Sequence, residues 1–428
     1  MELFGTSGIR RLVDRDLVHL SMEVGLAVGT LYKNVLIGRD TRTSGSTLLH
    51  GVMSGILATG ARCSDAGILP TPTLAFATRD FSAGVMITAS HNPPQYNGIK
   101  LINPDGSAFS IEQQRQIEDI VHGTLLANIQ WDRMQCGEIC STANEQHITR
   151  IMQDFKGGLK LRVVVDCGCG AAYYITPELL ARMGCDVKDI SCFPSGTFPR
   201  DAEPIETNLS DLMRTVRETG ANLGIAHDGD ADRMMAVDDL GNFIPGDKLL
   251  VILAQASGAK KIVTTLDSSM IIESTHLEVK RTKVGDPYVS EELKNGGGFG
   301  GEPSGTWVFP KISLCPDGIY AAAKICAIAS RHKLSKLVDS IPSYPLIRGN
   351  VSSDGIKMTE LKQNLIAELN PVSCDIIDGI KLNFENGWLL IRPSGTEPKI
   401  RITVEATTEL ASRQYFNNAA RIIRENTR

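Results

Sequence analysis

The 428-residue sequence has no low-complexity or Pro/Ser-rich tract, so no disorder is expected beyond its termini. It also lacks any run near the roughly 18 consecutive apolar residues of a membrane span, and the opening MELFGTSGIRR has no apolar leader segment. No membrane partner is therefore expected, and the cytoplasm is the expected compartment. Charge of one sign is missing as well: 44 Lys and Arg are interspersed with 49 Asp and Glu, for a net charge of −5. Nucleic acid or an anionic surface would call for a basic patch, so the expected partner is a small molecule and no nucleic acid. The ten cysteines include CGEIC at 136–140 and CGC at 167–169, without the paired CxxC or nearby histidines of a zinc site. They read as reduced, mostly buried small hydrophobes.

What is present is an ordinary globular composition, 42% hydrophobic and 22% charged, on a chain too long for one core. Strand-like VLIG (35–38), a helix from Ser44 to Gly60, AGVMI (83–87) and a helix from about Ile111 alternate as in βαβ units. The alternation restarts at LRVVVD (161–166), with helices ending at Gly184 and Gly220, and again at KIVTTLDSS (261–269). Three strands end in a polar turn with aspartate, GRD (38–40), VVVD (163–166) and TTLD (264–267), which hints at units of one topology. After about residue 345 come a helix near 359–369, a hairpin DGIKLNFENGWLLIRPS with its turn placed at Asn386-Gly387, the strand KIRITVEA and a closing helix. The expected architecture is α/β: three similar domains with mixed, mostly parallel sheets and a C-terminal α+β domain, divided as 1–145, 146–242, 243–345 and 346–428.

Two stretches carry chemistry. TASHNPPQYNGIK (88–100) follows the buried strand AGVMI, and its prolines Pro93 and Pro94 stiffen a loop that can display Ser90 in a strained position. Ser90 belongs to neither a GxSxG elbow nor an SxxK spacing, so activation as in the serine hydrolases is not indicated. HDGDADR (227–233) offers Asp228, Asp230 and Asp232 at alternate positions, which an extended segment would point to one side. Three hard oxygen donors without histidine or sulfur suit Mg²⁺, and the helices and position-twelve glutamate of an EF-hand are missing. A serine phosphate facing a divalent metal accounts for both stretches.

Further along, RPSGTEPKIR (392–401) sets hydroxyls, backbone N–H groups and guanidinium forks around one glycine turn, an anion cradle. GGEPSG (300–305) places a carboxylate and a hydroxyl on a glycine-rich loop suited to sugar hydroxyls, and FGTSGIR brings Thr6, Ser7 and Arg10 onto another. GRDTR adds Arg39 and Arg42.

Taken in order, FGTSGIR, TASHNPPQYNGIK, DGDADR, GEPSG and RPSGTEP resemble the motif set of the α-D-phosphohexomutase family across nearly the whole chain. The resemblance implies a heart-shaped, four-domain enzyme with its active site in a central cleft, exchanging phosphoryl groups through a phosphoserine. It implies that Ser90 carries the phosphate and that Asp228, Asp230 and Asp232 hold one Mg²⁺ with a phosphate oxygen. Arg10 and Lys100 fall where groups steady the phosphoryl and help move a proton, with His91 and Arg233 lining the same centre. Glu302 and Ser304 match the sugar-recognition loop. Arg392, Ser394, Gly395 and Thr396 match the grip on the substrate's own phosphate, near Arg401. Thr6, Ser7 and Lys283 are further implied substrate contacts, and a hexose 1,6-bisphosphate is the implied activator.

TKVGDPYV (282–289) and RPSGTEP resemble the phosphoglucosamine mutase branch, and GEPSGTW is similar to its archaeal members. Interconversion of glucosamine 6-phosphate and glucosamine 1-phosphate is the expected reaction. Mannose or glucose phosphates are the alternative substrates, and a metal-dependent sugar phosphatase is the alternative reaction. A monomer or homodimer is expected.

Overall fold

Four sheets follow one another along the chain, and the computed structural model describes residues 3–123, 131–155, 158–352, 357–393 and 399–426. The first unit contains β1 (Ile9–Leu12), α1 (Arg15–Leu31), β2 (Asn34–Arg39), α2 (Gly45–Ala58), β3 (Arg62–Ile68), α3 (Thr71–Ala77), β4 (Ala83–Ile87), β5 (Tyr96–Ile102), α4 (Ile111–His122) and β6 (Glu138–Ile139). Then come α5 (Ala143–Met152), β7 (Arg162–Asp166), α6 (Ile175–Arg182), β8 (Asp186–Ile190), α7 (Ser210–Thr219), β9 (Leu223–His227) and β10 (Met234–Val237). The third unit has α8 (Gly246–Ser257), β11 (Lys261–Thr265), β12 (Glu278–Thr282), α9 (Asp286–Lys294), β13 (Phe299–Glu302), β14 (Thr306–Val308), α10 (Gly318–Ala329) and α11 (Leu334–Ser340). The last has β15 (Leu346–Ser352), α12 (Met358–Leu369), β16 (Ser373–Asp375), β17 (Ile380–Phe384), β18 (Gly387–Pro393), β19 (Lys399–Ala406) and α13 (Glu409–Glu425).

The hint of a repeated topology is carried through. In the first unit β1 and β6 are edge strands beside β5 and β3; within what remains, as in the second and third units, the first strand lies between the second and third in parallel, and a fourth runs antiparallel beside the third. The orders are β3-β2-β4-β5, β8-β7-β9-β10 and β12-β11-β13-β14. Central parallel strands are covered on both faces, and β4 (AGVMI) and β9 (LGIAH) are accordingly buried along their whole length. The fourth sheet, β15-β19-β18-β17-β16, is antiparallel throughout, with α12 and α13 as its helices. The expected α+β change of texture is thus a change from crossover helices to hairpins.

Residue 145, where the sequence suggested a division, lies inside α5. Ile148 and Ile151 of this helix belong to a single apolar cluster that continues through the second and third units as far as Ile341. The first unit and the last have clusters of their own. The hairpin turn also differs from expectation. Phe384 pairs with Gly387, so the connection is Glu385-Asn386, and neither residue has a positive φ. Gly387 is needed for a different reason, since a Cβ there would stand 2.3 Å from the Glu405 carbonyl oxygen on β19. No helix among the described residues is long and apolar enough to cross a membrane.

Candidate active site

Ser90 follows β4 by three residues, is 2% exposed and has φ +51°, a left-handed conformation that a serine holds only when its surroundings enforce it. The enforcement comes chiefly from Arg42. Its guanidinium donates to the carbonyl oxygens of Ser90 (2.8 Å), Asn92 (2.7 Å), Pro93 (2.8 Å) and Tyr96 (2.9 Å), and is itself held by Asp40 at 3.0 Å. Asp40 also accepts from Thr88 Oγ1, which in turn accepts the Ser90 N–H. The prolines stiffen the loop, but a buried cation gathering four carbonyls shapes it.

The second unit repeats the device. Asp166, the last residue of β7 where Asp40 stands just past β2, pairs with Arg200 at 2.7 Å, and Arg200 donates to the His227 carbonyl at the end of β9. In GRD and VVVD the strand-end aspartate therefore aims an arginine at the loop that carries the chemistry.

Asp228, Asp230 and Asp232 occupy the turn joining antiparallel β9 and β10, not an extended segment. Ala231 has φ +57°, and this kink brings one oxygen from each carboxylate within 4.8 Å of the others. A Cβ on Gly229 would stand 2.5 Å from the Ser90 carbonyl oxygen, so the glycine lets the two loops meet. Ser90 Oγ donates to Asp228 Oδ2 at 2.7 Å and lies 3.3 Å from His91 Nδ1. Lys100, on β5, bridges Asp230 Oδ2 (2.7 Å) and Asp232 Oδ2 (2.6 Å). Arg10, opposite Gly98 on β1, donates to Asn92 Oδ1 at 3.2 Å.

Burial, then the Asp232 and Asp230 carboxylates, push Asp228 well above the usual carboxylate range. Asp230 is as buried, yet the Lys100 ammonium and the Thr71 hydroxyl hold it below that range. Burial opposes the charge on Lys100, and the two aspartates override it and raise Lys100 above an ordinary lysine. Burial and the Arg233 guanidinium bring His91 down to about 4. Among the described residues, Asp230 Oδ1, Asp232 Oδ1 and Arg10 Nε are buried with no hydrogen-bond partner. Unpaired carboxylate oxygens converging in a buried centre suit a hard divalent cation, and an unpaired guanidinium N–H beside them suits an anion.

Of the residues expected to contact the sugar, Glu302, Ser304 and Lys283 lie on the third unit. Glu302 closes β13 and accepts from the Gly285 N–H (2.8 Å) and Thr306 Oγ1 (3.1 Å). Burial, then Asp286 and Asp267, bring its carboxyl up to about 7. Ser304 and Lys283 are exposed, with Lys283 5.6 Å above the Tyr288 ring. Arg233 is bound to Glu203 at 2.9 Å, while its own N–H reaches Asp228. Thr6 and Ser7 line a cavity of about 50 Å³ with Lys100, Asp232 and Asp286. Arg392 is paired with Asp378 at 3.0 Å, and exposed Arg401 is its neighbour across the β18/β19 ladder. Ser394, Gly395 and Thr396 lie outside the described residues.

The structure therefore gathers Ser90, His91, Arg10, Lys100, the three aspartates and Arg233 into one centre. Among the described residues, Lys283 rests over Tyr288 and Arg392 pairs with Asp378, while Ser304 and Arg401 are exposed, so these four are not among the partners of that centre. Sequence reasoning passed over Thr71, Asp286, Glu203 and Asp378 and named Arg42 without giving it a role. GRDTR carried the signal for Arg42, whereas the others depend on contacts over long separations in the chain.

The chain matches the phosphoglucomutase/phosphomannomutase family in all four of its parts, the alpha/beta/alpha domains I (residues 1–127), II (145–241) and III (245–344) and the C-terminal domain (355–422). It is 45% identical to a probable phosphoglucosamine mutase of Methanocella arvoryzae, over 99% of this chain and 98% of that one. A crystal structure of a phosphoglucomutase/phosphomannomutase family protein from Burkholderia thailandensis superposes with a TM-score of 0.86 at 26% identity, covering 100% and 98% of the two chains. The fold is shared with Aspergillus fumigatus N-acetylphosphoglucosamine mutase in complex with GlcNAc-6P and magnesium, at a TM-score of 0.61, 15% identity and coverage of 100% and 96%. With four consecutive domains matched and a relative of this identity along its whole length, the chain belongs to the phosphoglucomutase/phosphomannomutase family, and is a phosphohexomutase.

Proposed function

We propose that the protein interconverts glucosamine 6-phosphate and glucosamine 1-phosphate through a phosphorylated Ser90 and a 1,6-bisphosphate intermediate. The observation that carries this reading is the buried Ser90 hydroxyl on Asp228, inside an aspartate cluster that retains two unpaired carboxylate oxygens. The preference for the amino sugar is supported by the likeness to the probable phosphoglucosamine mutase of Methanocella arvoryzae, and Mg²⁺ by the magnesium in the Aspergillus fumigatus complex.

Asp228, Asp230, Asp232 and the Ser90 oxygen would hold Mg²⁺, which would supply positive charge against the phosphoryl oxygens. The remaining work is done by alignment and fixed charge. The C1 hydroxyl of the 6-phosphate attacks phosphorus on Ser90, the Oγ–P bond breaks as the sugar O–P bond forms, and the hydroxyl proton passes to a neighbouring base. His91 beside Ser90 Oγ is placed to hold a proton, and Lys100 supplies charge at the carboxylates. The bisphosphate turns over, its 6-phosphoryl returns to Ser90 Oγ, and the 1-phosphate leaves. Glu302 and Ser304 would bind sugar hydroxyls, with Thr6, Ser7, Lys283 and Arg233 around them. Arg392, Arg401 and the 394–396 loop would grip the phosphate that is not being transferred.

Ser90→Ala is expected to lower turnover by ~10⁴-fold or more while hexose phosphate binding persists. Intact-mass measurement of wild type dosed with hexose 1,6-bisphosphate should show one added phosphoryl group, absent from the variant. Activity of the variant within a few-fold of wild type rules the covalent route out. Assays of glucosamine, mannose and glucose 6-phosphates side by side decide the sugar, and the amino-sugar assignment fails if glucosamine phosphate is the poorest substrate.

A further inference from the structure

The start of β17 and the turn before it join the last domain to the third unit at two adjacent strand ends. Lys381, 4% exposed, donates to the Leu266 carbonyl at 2.6 Å, just past β11. Asp378 Oδ2 accepts the Val284 N–H at 3.0 Å, just past β12. Gly379 between them has φ +84°, and a Cβ there would stand 2.2 Å from the Ile391 carbonyl oxygen, so the turn is tied to glycine. The same Asp378 oxygen binds Arg392 Nη2 at 3.0 Å. The next amide along, Gly285 N–H, donates to Glu302. Two consecutive amides of the Val284-Gly285 segment are thus capped by carboxylates, one on the phosphate-gripping domain and one on the sugar-facing loop.

The Asp378 and Arg392 side chains are 21% and 30% exposed, and an ion pair in that setting adds little to folding. Its consequence is geometric. A guanidinium has five N–H donors in a fixed plane, so a carboxylate on one edge determines where the other edge points. We propose that Asp378 is a positioning residue: it aims Arg392 into the cleft and couples the phosphate grip to sugar recognition through the adjacent amides of Val284 and Gly285. The inference rests on the reading above that Arg392 binds the substrate's non-transferring phosphate.

The test uses the full chain as wild type, Asp378→Ala, Asp378→Asn, Arg392→Ala and the Asp378→Ala/Arg392→Ala double variant. Thermal melts establish folding, calorimetry gives the Kd for glucosamine 6-phosphate, and a bisphosphate-primed assay gives KM and kcat. Asp378→Ala is expected to weaken binding and raise KM about tenfold, as the loss of one aligned charge-assisted contact would, with kcat within about threefold. The double variant should bind within about twofold of Arg392→Ala, because the two residues act as one. Asp378→Asn keeps an acceptor for the Val284 amide and should lose about threefold; it carries the test if the alanine variant does not fold. Binding by Asp378→Ala within twofold of wild type, or a loss that adds in full to that of Arg392→Ala, overturns the proposal. Wild type that binds the sugar phosphate without turning it over overturns the mutase reading instead, and the binding comparison then decides Asp378 alone. Wild type that binds no hexose phosphate overturns both.

Discussion

The joint between the second and third units and the joint between the third and the last are built from different materials. The first is apolar: one cluster runs without a break through both units, and Trp307 on β14 is fully buried within it, its indole N–H bonded to the Met234 carbonyl on β10 at 2.7 Å. The second is polar. Glu405, 2% exposed, accepts from Ser269 Oγ, the Met270 N–H and Trp388 Nε1, while Lys381 reaches Leu266 and Asp378 reaches Val284. Parting an apolar joint exposes surface at about 25 cal/mol per Å². Parting a polar one exchanges protein partners for water at a small net cost per bond. The turn bearing Asp228, Asp230 and Asp232 and the loop bearing Glu302 are therefore fixed to each other, and the last domain is attached by contacts that can be undone.

The largest effect expected is at the apolar joint. Trp307→Ala should cost about 3–5 kcal/mol in denaturant unfolding and destabilise the second and third units together. A loss under about 1 kcal/mol, or a separate transition for the third unit, would break the comparison. At the polar joint, Glu405→Ala leaves three donors without their acceptor and should cost about 3 kcal/mol. Its loss should appear as earlier exchange of amides in the last domain, with those of β7 and β9 unaffected. Earlier exchange across all four units would show that the last domain is not a separate unit of unfolding.

The smallest effect concerns Lys381, brought down to about 7 chiefly by burial, with the Arg281 charge adding to it. A free lysine titrates near 10.4, so between about pH 7 and 10 the unfolded chain holds a proton that the folded chain lacks. Stability from this group therefore rises with pH across that window. Lys381→Met, similar in reach, should change stability at pH 7 by less than about 1 kcal/mol and flatten the rise between pH 7 and 9. Parallel pH profiles for the variant and wild type would mean that Lys381 is not held neutral.

Much of the centre was legible in short stretches. TASHNPPQYNGIK and HDGDADR each bring several candidate residues together within one loop, so the roles proposed for them follow from local chemistry once the flanking strands are recognised. Alternation of apolar runs gave the three α/β units, since a parallel strand buried on both faces must be continuously apolar. The kink at Ala231 was not legible, because a left-handed alanine has no local signal and exists only where the two loops press together. Asn386-Gly387 misled for the opposite reason: the pair is a common turn signal, but here the glycine serves the close approach of β19.

By itself the sequence determined which segments become strands and helices, which loop carries the serine and which carries the carboxylates, since periodicity and turn chemistry act over a few residues. Only the tertiary structure decided that Arg42 would gather four carbonyls around Ser90, that Lys100 would bridge Asp230 and Asp232 across 130 and 132 positions, and that Asp378 would meet Val284. These contacts follow from where burial and strand register place distant backbones, and no local pattern records that.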